Sequence, residues 1–289
     1  MVVDFKALRP APLYPTYPPY HVGPYLEEYF YSFYKKNKLR FDKLGVTLIP
    51  AYWTTLYLNG IPNDAIQQYI NYLPKDIKYF TVCQFDDGIQ ETLPTDTINF
   101  VAGGNKPGIP IPLICSALPS TYIKPCDKDI LCSFVGTILN NDKYACRLKL
   151  YEYFQNDPSF YFTKPRGWSN VVQRDQLKEF IETTQRSTFT LCPRGYGLQS
   201  FRLYEALQLN SIPVFVYDKD FFPFSNFIDW HSFCVLVKID QIPKLKEILL
   251  QITPERQRAM LAVGKRVYTE YFSLSGACEG IYREIKNII

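Results

Sequence analysis

Residues 187 to 218 read STFTLCPRGYGLQSFRLYEALQLNSIPVFVYD. An apolar, strand-like run stops at a glycine turn, the turn opens directly into a helical pattern, and a second apolar run, IPVFVY, follows at once. Strand, turn, helix, strand is the repeating unit of an α/β sheet wound on both faces. In such sheets ligands bind at the carboxyl edge of the strands, where this turn lies.

The same alternation runs along the chain. PYLEEYFYSFYKKN reads as a helix with Pro24 near its start, GVTLIPAYW as a buried strand, and IPNDAIQQYINYL as an amphipathic helix capped by Asn63 or Asp64. KYFTVCQF, TINFVAG and IPLICSA read as further strands. LPSTYIKPCDKD is polar and proline-bearing and marks a boundary, after which the pattern restarts with ILCSFVGT, YACRLKLYEYFQN, SFYFT and QLKEFIETTQ. Beyond residue 218, SFCVLVK reads as a strand, and IPKLKEILLQI and PERQRAMLAVGKRVYTEYF as helices. The expected organisation is an α/β domain over 1–120, a second over 121–265, and a C-terminal helix over 266–289 that returns to the first domain.

At 289 residues, with 47% hydrophobic and 21% charged, the chain can bury a substantial core. The 16% aromatic content serves that core or a surface that stacks carbohydrate or bases. A net charge of +4 without a long Lys/Arg run permits an anionic ligand and gives no reason to expect nucleic acid. The eight cysteines form no CxxC pair and lie mostly in apolar runs, which points to buried free thiols in a reducing compartment. The proline-rich start has no apolar core of signal-peptide length, and no segment approaches a membrane span, so a cytoplasmic location is the expectation.

At the turn, Gly195 and Gly197 are expected to take positive φ and let backbone approach a ligand closely. Ser200 is placed to cap the helix, whose free N–H groups suit a phosphate. Arg194 precedes the turn. Arg202 and Glu205, three apart, share a helix face, as a solvated surface pair or as ligand contacts. GYGLQS also stands one residue from GxGxxG, with Asp218 following 21 residues after Gly197, which is the basis of an alternative reading as an NAD-dependent oxidoreductase.

The stretch from Pro193 to Asp218, continuing into FPFSNFIDW, resembles the exostosin-like glycosyltransferases (family 47 type). The shared elements are Pro193 and Gly195, Ser200 to Arg202, Glu205 to Leu207, Pro213 and Val214, Pro223 and Phe224, and Asp229 and Trp230. Upstream, SFVGTILNNDKYACRLKL resembles the family's Phe-x-Gly segment and its helix-opening arginine, here Arg147. KYFTVCQFDDGI resembles the strand that ends in the family's Asp-Trp-Gly, with Asp86 on the Asp and Asp87 in place of the Trp. The resemblance is strongest over residues 129 to 255, fainter over 78 to 118, and absent from the first 75.

The resemblance implies a GT-B arrangement of two facing Rossmann-like domains. It also implies inverting transfer from a UDP-sugar bound by the C-terminal domain to a glycan or glycoprotein acceptor bound by the N-terminal one. Asp86, or else Asp87, is then the candidate base, with His21 a weaker one. Arg147, Arg194, Gly195 and Ser200 would face the diphosphate and Glu205 the ribose hydroxyls, with Arg202 either on a phosphate or bracing Glu205. Helix dipole and arginines would stand in for a cation, so no metal or other cofactor is expected despite the triplets Asp127-Lys128-Asp129 and Asp218-Lys219-Asp220. Likeness to small virus-encoded members leans the donor toward a pentose such as xylose. A glycan-binding protein on a transferase scaffold, without catalysis, is a further alternative.

Overall fold

The structure is a computed structural model, and it describes residues 5–11, 17–139 and 145–289. The first half carries helices α1 (Leu26–Lys36) and α2 (Lys38–Asp42), strand β1 (Val46–Leu48), helices α3 (Trp53–Leu58) and α4 (Asn63–Asn71), and strands β2 (Lys78–Cys83), β3 (Ile98–Val101) and β4 (Ile109–Pro110). The four strands form one parallel sheet in the order β1-β2-β3-β4.

The second half begins with β5 (Ile130–Phe134), α5 (Ala145–Phe154), β6 (Phe160–Phe162), α6 (Arg174–Arg186), β7 (Ser187–Pro193), α7 (Phe201–Gln208), β8 (Ile212–Tyr217) and β9 (Val235–Lys238). These strands form a second parallel sheet in the order β6-β5-β7-β8-β9. Every residue of β8 is buried, as a strand covered by helices on both faces requires. Helices α8 (Leu245–Leu250), α9 (Pro254–Val267) and α10 (Leu274–Ile288) complete the chain.

Three expected elements are shorter than their apolar patterns. The strand expected over 45–53 ends at Leu48, ahead of Pro50, and Trp53 opens α3 instead. The strand expected over 111–117 is replaced by β4 and an irregular segment; Pro110 and Pro112 have no N–H to donate to a ladder, although Ile111 and Ile114 are buried. The helix expected over 254–272 ends at Val267 and passes through a π-helical turn, Tyr268–Phe272.

Helix α10 packs on the first half of the chain. Arg40 makes a two-pronged contact with Glu279 at 2.7 Å on each arm and lies over the Tyr282 ring, whose centroid is 5.3 Å from that of Phe41. One apolar cluster accordingly runs from Leu26, Phe30 and Phe80 through Tyr204 to Phe272 and Ile281.

The turn after β7 docks on the carboxyl end of the first sheet. Leu198 N donates to Gly103 O at 2.6 Å, and the buried Gln199 amide donates to Ala102 O at 2.7 Å and Ile111 O at 2.8 Å. The Tyr204 hydroxyl donates to the Gln199 side-chain oxygen. Loops after β2, β4, β5 and β7 thus line a shared cavity between two parallel α/β units, which is the GT-B arrangement.

Replacing Gln199 with alanine leaves two carbonyls and a tyrosine hydroxyl buried without this partner. Gln199→Ala is expected to lower stability by about 3 kcal/mol in denaturant unfolding. A loss under about 1 kcal/mol would mean that water replaces the amide without cost.

Candidate active site

The shared cavity has a volume of about 690 Å³, within the usual range for a small-molecule site. Its second-half wall is built by the start of α7, the segment after β5 and the segment after β6. Ser200 is the N-cap of α7, in extended conformation, and its hydroxyl accepts from Arg202 N at 3.4 Å.

Arg202 and Glu205 are no surface pair. Their side chains are 15% and 7% exposed and meet at 3.1 Å. Arg202 also donates to Val135 O and stacks 4.0 Å above the Phe180 ring. The other Glu205 oxygen accepts from the Tyr20 hydroxyl at 2.6 Å. Burial, with the Glu205 charge adding to it, holds the Tyr20 hydroxyl protonated and far above its usual range. Each Glu205 oxygen keeps a second lone pair for a sugar hydroxyl.

Arg147 is the third residue of α5. It donates from Nε to Arg194 O and from Nη1 to Thr137 O, both at 3.1 Å, and lines the cavity. Arg166, which the sequence reading missed, lines it as well; its nearest carboxylate, Glu179, is 3.9 Å away. The available signal was an arginine just beyond the carboxyl end of SFYFT, where α/β sheets gather ligand contacts. Trp168 follows on the same loop, and its ring meets that of Tyr17 edge-on with centroids 6.1 Å apart.

Gly195 lines the cavity as expected, whereas the placement of Arg194 and the backbone conformation expected at the two glycines differ. Arg194 does not line the cavity: its guanidinium grips both Asp218 oxygens at 2.9 and 2.8 Å and the carbonyls of Tyr196 and Gly197 at 3.1 and 3.3 Å. Neither Gly195 nor Gly197 has positive φ. Gly195 donates its N–H to Gln199 O at 2.9 Å and closes the turn. Gly197 is required by crowding, since a Cβ there would stand 2.4 Å from Asp86 Oδ1 and 2.7 Å from Gly103 O.

That crowding places Asp86 at the junction. It faces the large cavity and also a second one of about 250 Å³, which it shares with Tyr17, Leu113, Trp168 and Phe201. Among the described residues no side chain or backbone N–H donates to its carboxylate. Burial, and then the neighbouring Asp87 charge, push its pKa up to about 6, against the pull of Arg194.

Asp87 lines neither cavity. Its oxygens accept from Asn105 Nδ2 and the Tyr196 hydroxyl, each at 3.2 Å, so of the two aspartates only Asp86 is placed to meet a substrate. His21 stacks on Tyr25 and accepts at Nδ1 from Ser116 N at 3.2 Å, outside both cavities.

Both Asp-Lys-Asp triplets hold structural contacts. Asp129 pairs with Arg186, Asp218 with Arg194, and Lys128 binds three carbonyl oxygens. Among the described residues no three His, Cys, Asp or Glu gather as a ligand set, and no helix is long and apolar enough to cross a membrane. The near-fingerprint GYGLQS fails as a pyrophosphate loop in this setting, because its second half is buried against the first sheet and Asp218 is held by Arg194.

Two parallel α/β units, with arginines walling the cavity on one side and a carboxylate facing it from the other, define a GT-B type protein. The chain belongs to the exostosin family: residues 83–252, more than half its length, match the Exostosin GT47 domain. It is 36% identical over 121 residues to a rice (Oryza sativa subsp. japonica) protein named probable glucuronosyltransferase GUT1, covering 41% of this chain and 27% of that one. It is 32% identical over 136 residues to an Arabidopsis thaliana protein named probable glycosyltransferase At5g03795, covering 47% and 24%. The match therefore spans about a quarter of the length of these relatives. The crystal structure of TarM aligns with a TM-score of 0.41 at 8% identity, covering 77% of this chain and 53% of its own.

Gly197→Ala is expected to cost about 1–3 kcal/mol of stability by forcing the two loops apart. It should also shift the titration of Asp86, read by carboxyl NMR. An unchanged titration would show that Gly197 does not set the position of that carboxylate.

Proposed function

We propose that this chain is an inverting glycosyltransferase that moves a sugar from a UDP-linked donor to a hydroxyl of a glycan. The observation that carries the reading is the placement of Asp86, whose carboxylate faces two adjoining cavities and has no hydrogen-bond donor among the described residues. The nucleotide diphosphate occupies the large cavity. Arg147, Arg166 and Arg202 and the N-terminus of α7 meet its phosphates, and Glu205 accepts from the ribose hydroxyls. This cationic wall does the work for which other transferases use a metal, so no metal is needed in the proposal.

In the reaction, Asp86 takes the proton of the acceptor hydroxyl as its oxygen bonds to the anomeric carbon. The bond from that carbon to the diphosphate breaks on the opposite face, and UDP leaves with the electron pair. The donor is a pentose such as xylose, by likeness to small members of the family. The names of the rice relatives favour glucuronate instead, and a panel of UDP-sugars separates the two.

Asp86→Asn is expected to lower kcat by about 10²- to 10⁴-fold with little change in UDP affinity. A variant that keeps more than a tenth of the activity would overturn the assignment. Because the base form prevails above its raised pKa, kcat/KM should fall tenfold per pH unit below about 6. Asp87→Asn removes the adjacent charge and should move that acid limb to lower pH.

A further inference from the structure

The two cavities differ in charge. Arg147, Arg166 and Arg202 line the large one, together with Glu205 and Asp86. The second has Glu27, Glu28 and Asp86 in its wall, and no Lys or Arg among the described residues that line it. The rest of its lining is mainly apolar, with the rings of Tyr17, Tyr25, Phe85, Trp168 and Phe201 beside Leu58 and Leu113, and its other polar side chains are Thr54, Thr55, Gln84 and Asn170.

Its acidic groups are fixed by the fold. Glu27 is 5% exposed, and its carboxylate accepts from Gln84 N at 2.7 Å, from Thr54 N at 3.1 Å and from the Thr54 hydroxyl at 2.8 Å. Glu28 accepts from Tyr25 N at 2.5 Å, which anchors it at the start of α1, and from Thr55 Oγ1 at 3.5 Å. At about 250 Å³ the cavity is smaller than a drug-sized site and suits a single sugar unit.

We infer that this second cavity is an acceptor subsite for an uncharged sugar and that it excludes uronate and sulfated sugars. The inference rests on the transferase reading above. Hydroxyl groups donate to carboxylates, and the apolar face of a sugar ring packs on aromatic rings. Burial raises the pKa of Glu27 to about 8 and lifts that of Glu28 above its usual range, so Glu27 is largely protonated at neutral pH. An anionic sugar would still give up its water in a poorly solvated space with no cation to offset its charge. The exclusion therefore comes first from desolvating the anion without a compensating cation, and the negative charge that Glu28 and Asp86 carry adds to it. Trp168, supplied by the second half of the chain and 58% exposed, closes the subsite beside Asp86.

The test compares matched glycosides that differ only at C6: methyl β-glucopyranoside against methyl β-glucopyranosiduronate, and the galacto pair likewise. Binding to the full chain is measured by saturation-transfer NMR, with and without saturating UDP. The neutral member of at least one pair is expected to bind at least tenfold tighter than its uronate. Glu28→Gln should narrow that ratio, and Trp168→Ala, on an exposed loop, should weaken the neutral glycoside without unfolding the core. A uronate that binds as well as its neutral partner, or no binding by either neutral glycoside with UDP present, would overturn the inference. So would a ratio that Glu28→Gln leaves unchanged. Since the glycosides are read without turnover, a preference for the neutral sugar in a protein that ignores UDP would instead remove the donor assignment and leave the subsite standing.

Discussion

The contact between the turn after β7 and the loop after β3 holds the site together. Leu198 N on Gly103 O and the Gln199 amide on the carbonyls of Ala102 and Ile111 tie the carboxyl edges of the two sheets. Gly197 then lies against Asp86 with no room for a side chain. The second half of the chain thus positions a carboxylate that belongs to the first. Arg194 serves the same end: by holding Asp218 and the carbonyls of Tyr196 and Gly197, it fixes the shape of the turn. The long apolar cluster from Leu26 to Ile281 and the Arg40–Glu279 pair close the two units together on the side of α1 and α10.

The electrostatics follow from this placement. Arginines collect on the second-half wall, where the carboxyl ends of β5, β6 and β7 release their loops. Carboxylates collect on the first-half wall, where α1 and the loop after β2 meet. Asp86 stands between these regions, and burial and Asp87 raise its pKa to about 6, so it is charged at neutral pH yet basic enough to take a proton. Burial does the opposite for Tyr20, which stays protonated and can donate to Glu205.

Much of the second sheet was legible because its strands are buried on both faces and read as unbroken apolar runs. IPVFVY became β8 residue for residue, and Ser200 is the cap that its position before a helical pattern suggested. The first half was harder. Its prolines cut strands short at residues 50 and 110 to 112, so apolar runs there overstate the sheet. Side-chain direction was not legible at all. Arg194 and Arg202 flank the same turn, yet one braces the turn and the other lines the cavity; Asp86 and Asp87 are adjacent, yet only one meets the cavities. Glu27 and Glu28 lie far from any motif and enter the site only through tertiary packing, while Arg166 carried only the weak signal of its place after a short strand.

The central claim is that the cleft between the sheets is a nucleotide-sugar site held by arginines without a metal. Calorimetric titration of the chain with UDP in the presence of a chelator, with NAD as the comparison, tests it most directly. The account predicts UDP binding at one site without metal, weakened in Arg147→Ala and Arg166→Ala but close to wild type in a folded Arg194→Ala, and no response to NAD. Binding of NAD, UDP binding only after a divalent cation is restored, or silence toward UDP would contradict it.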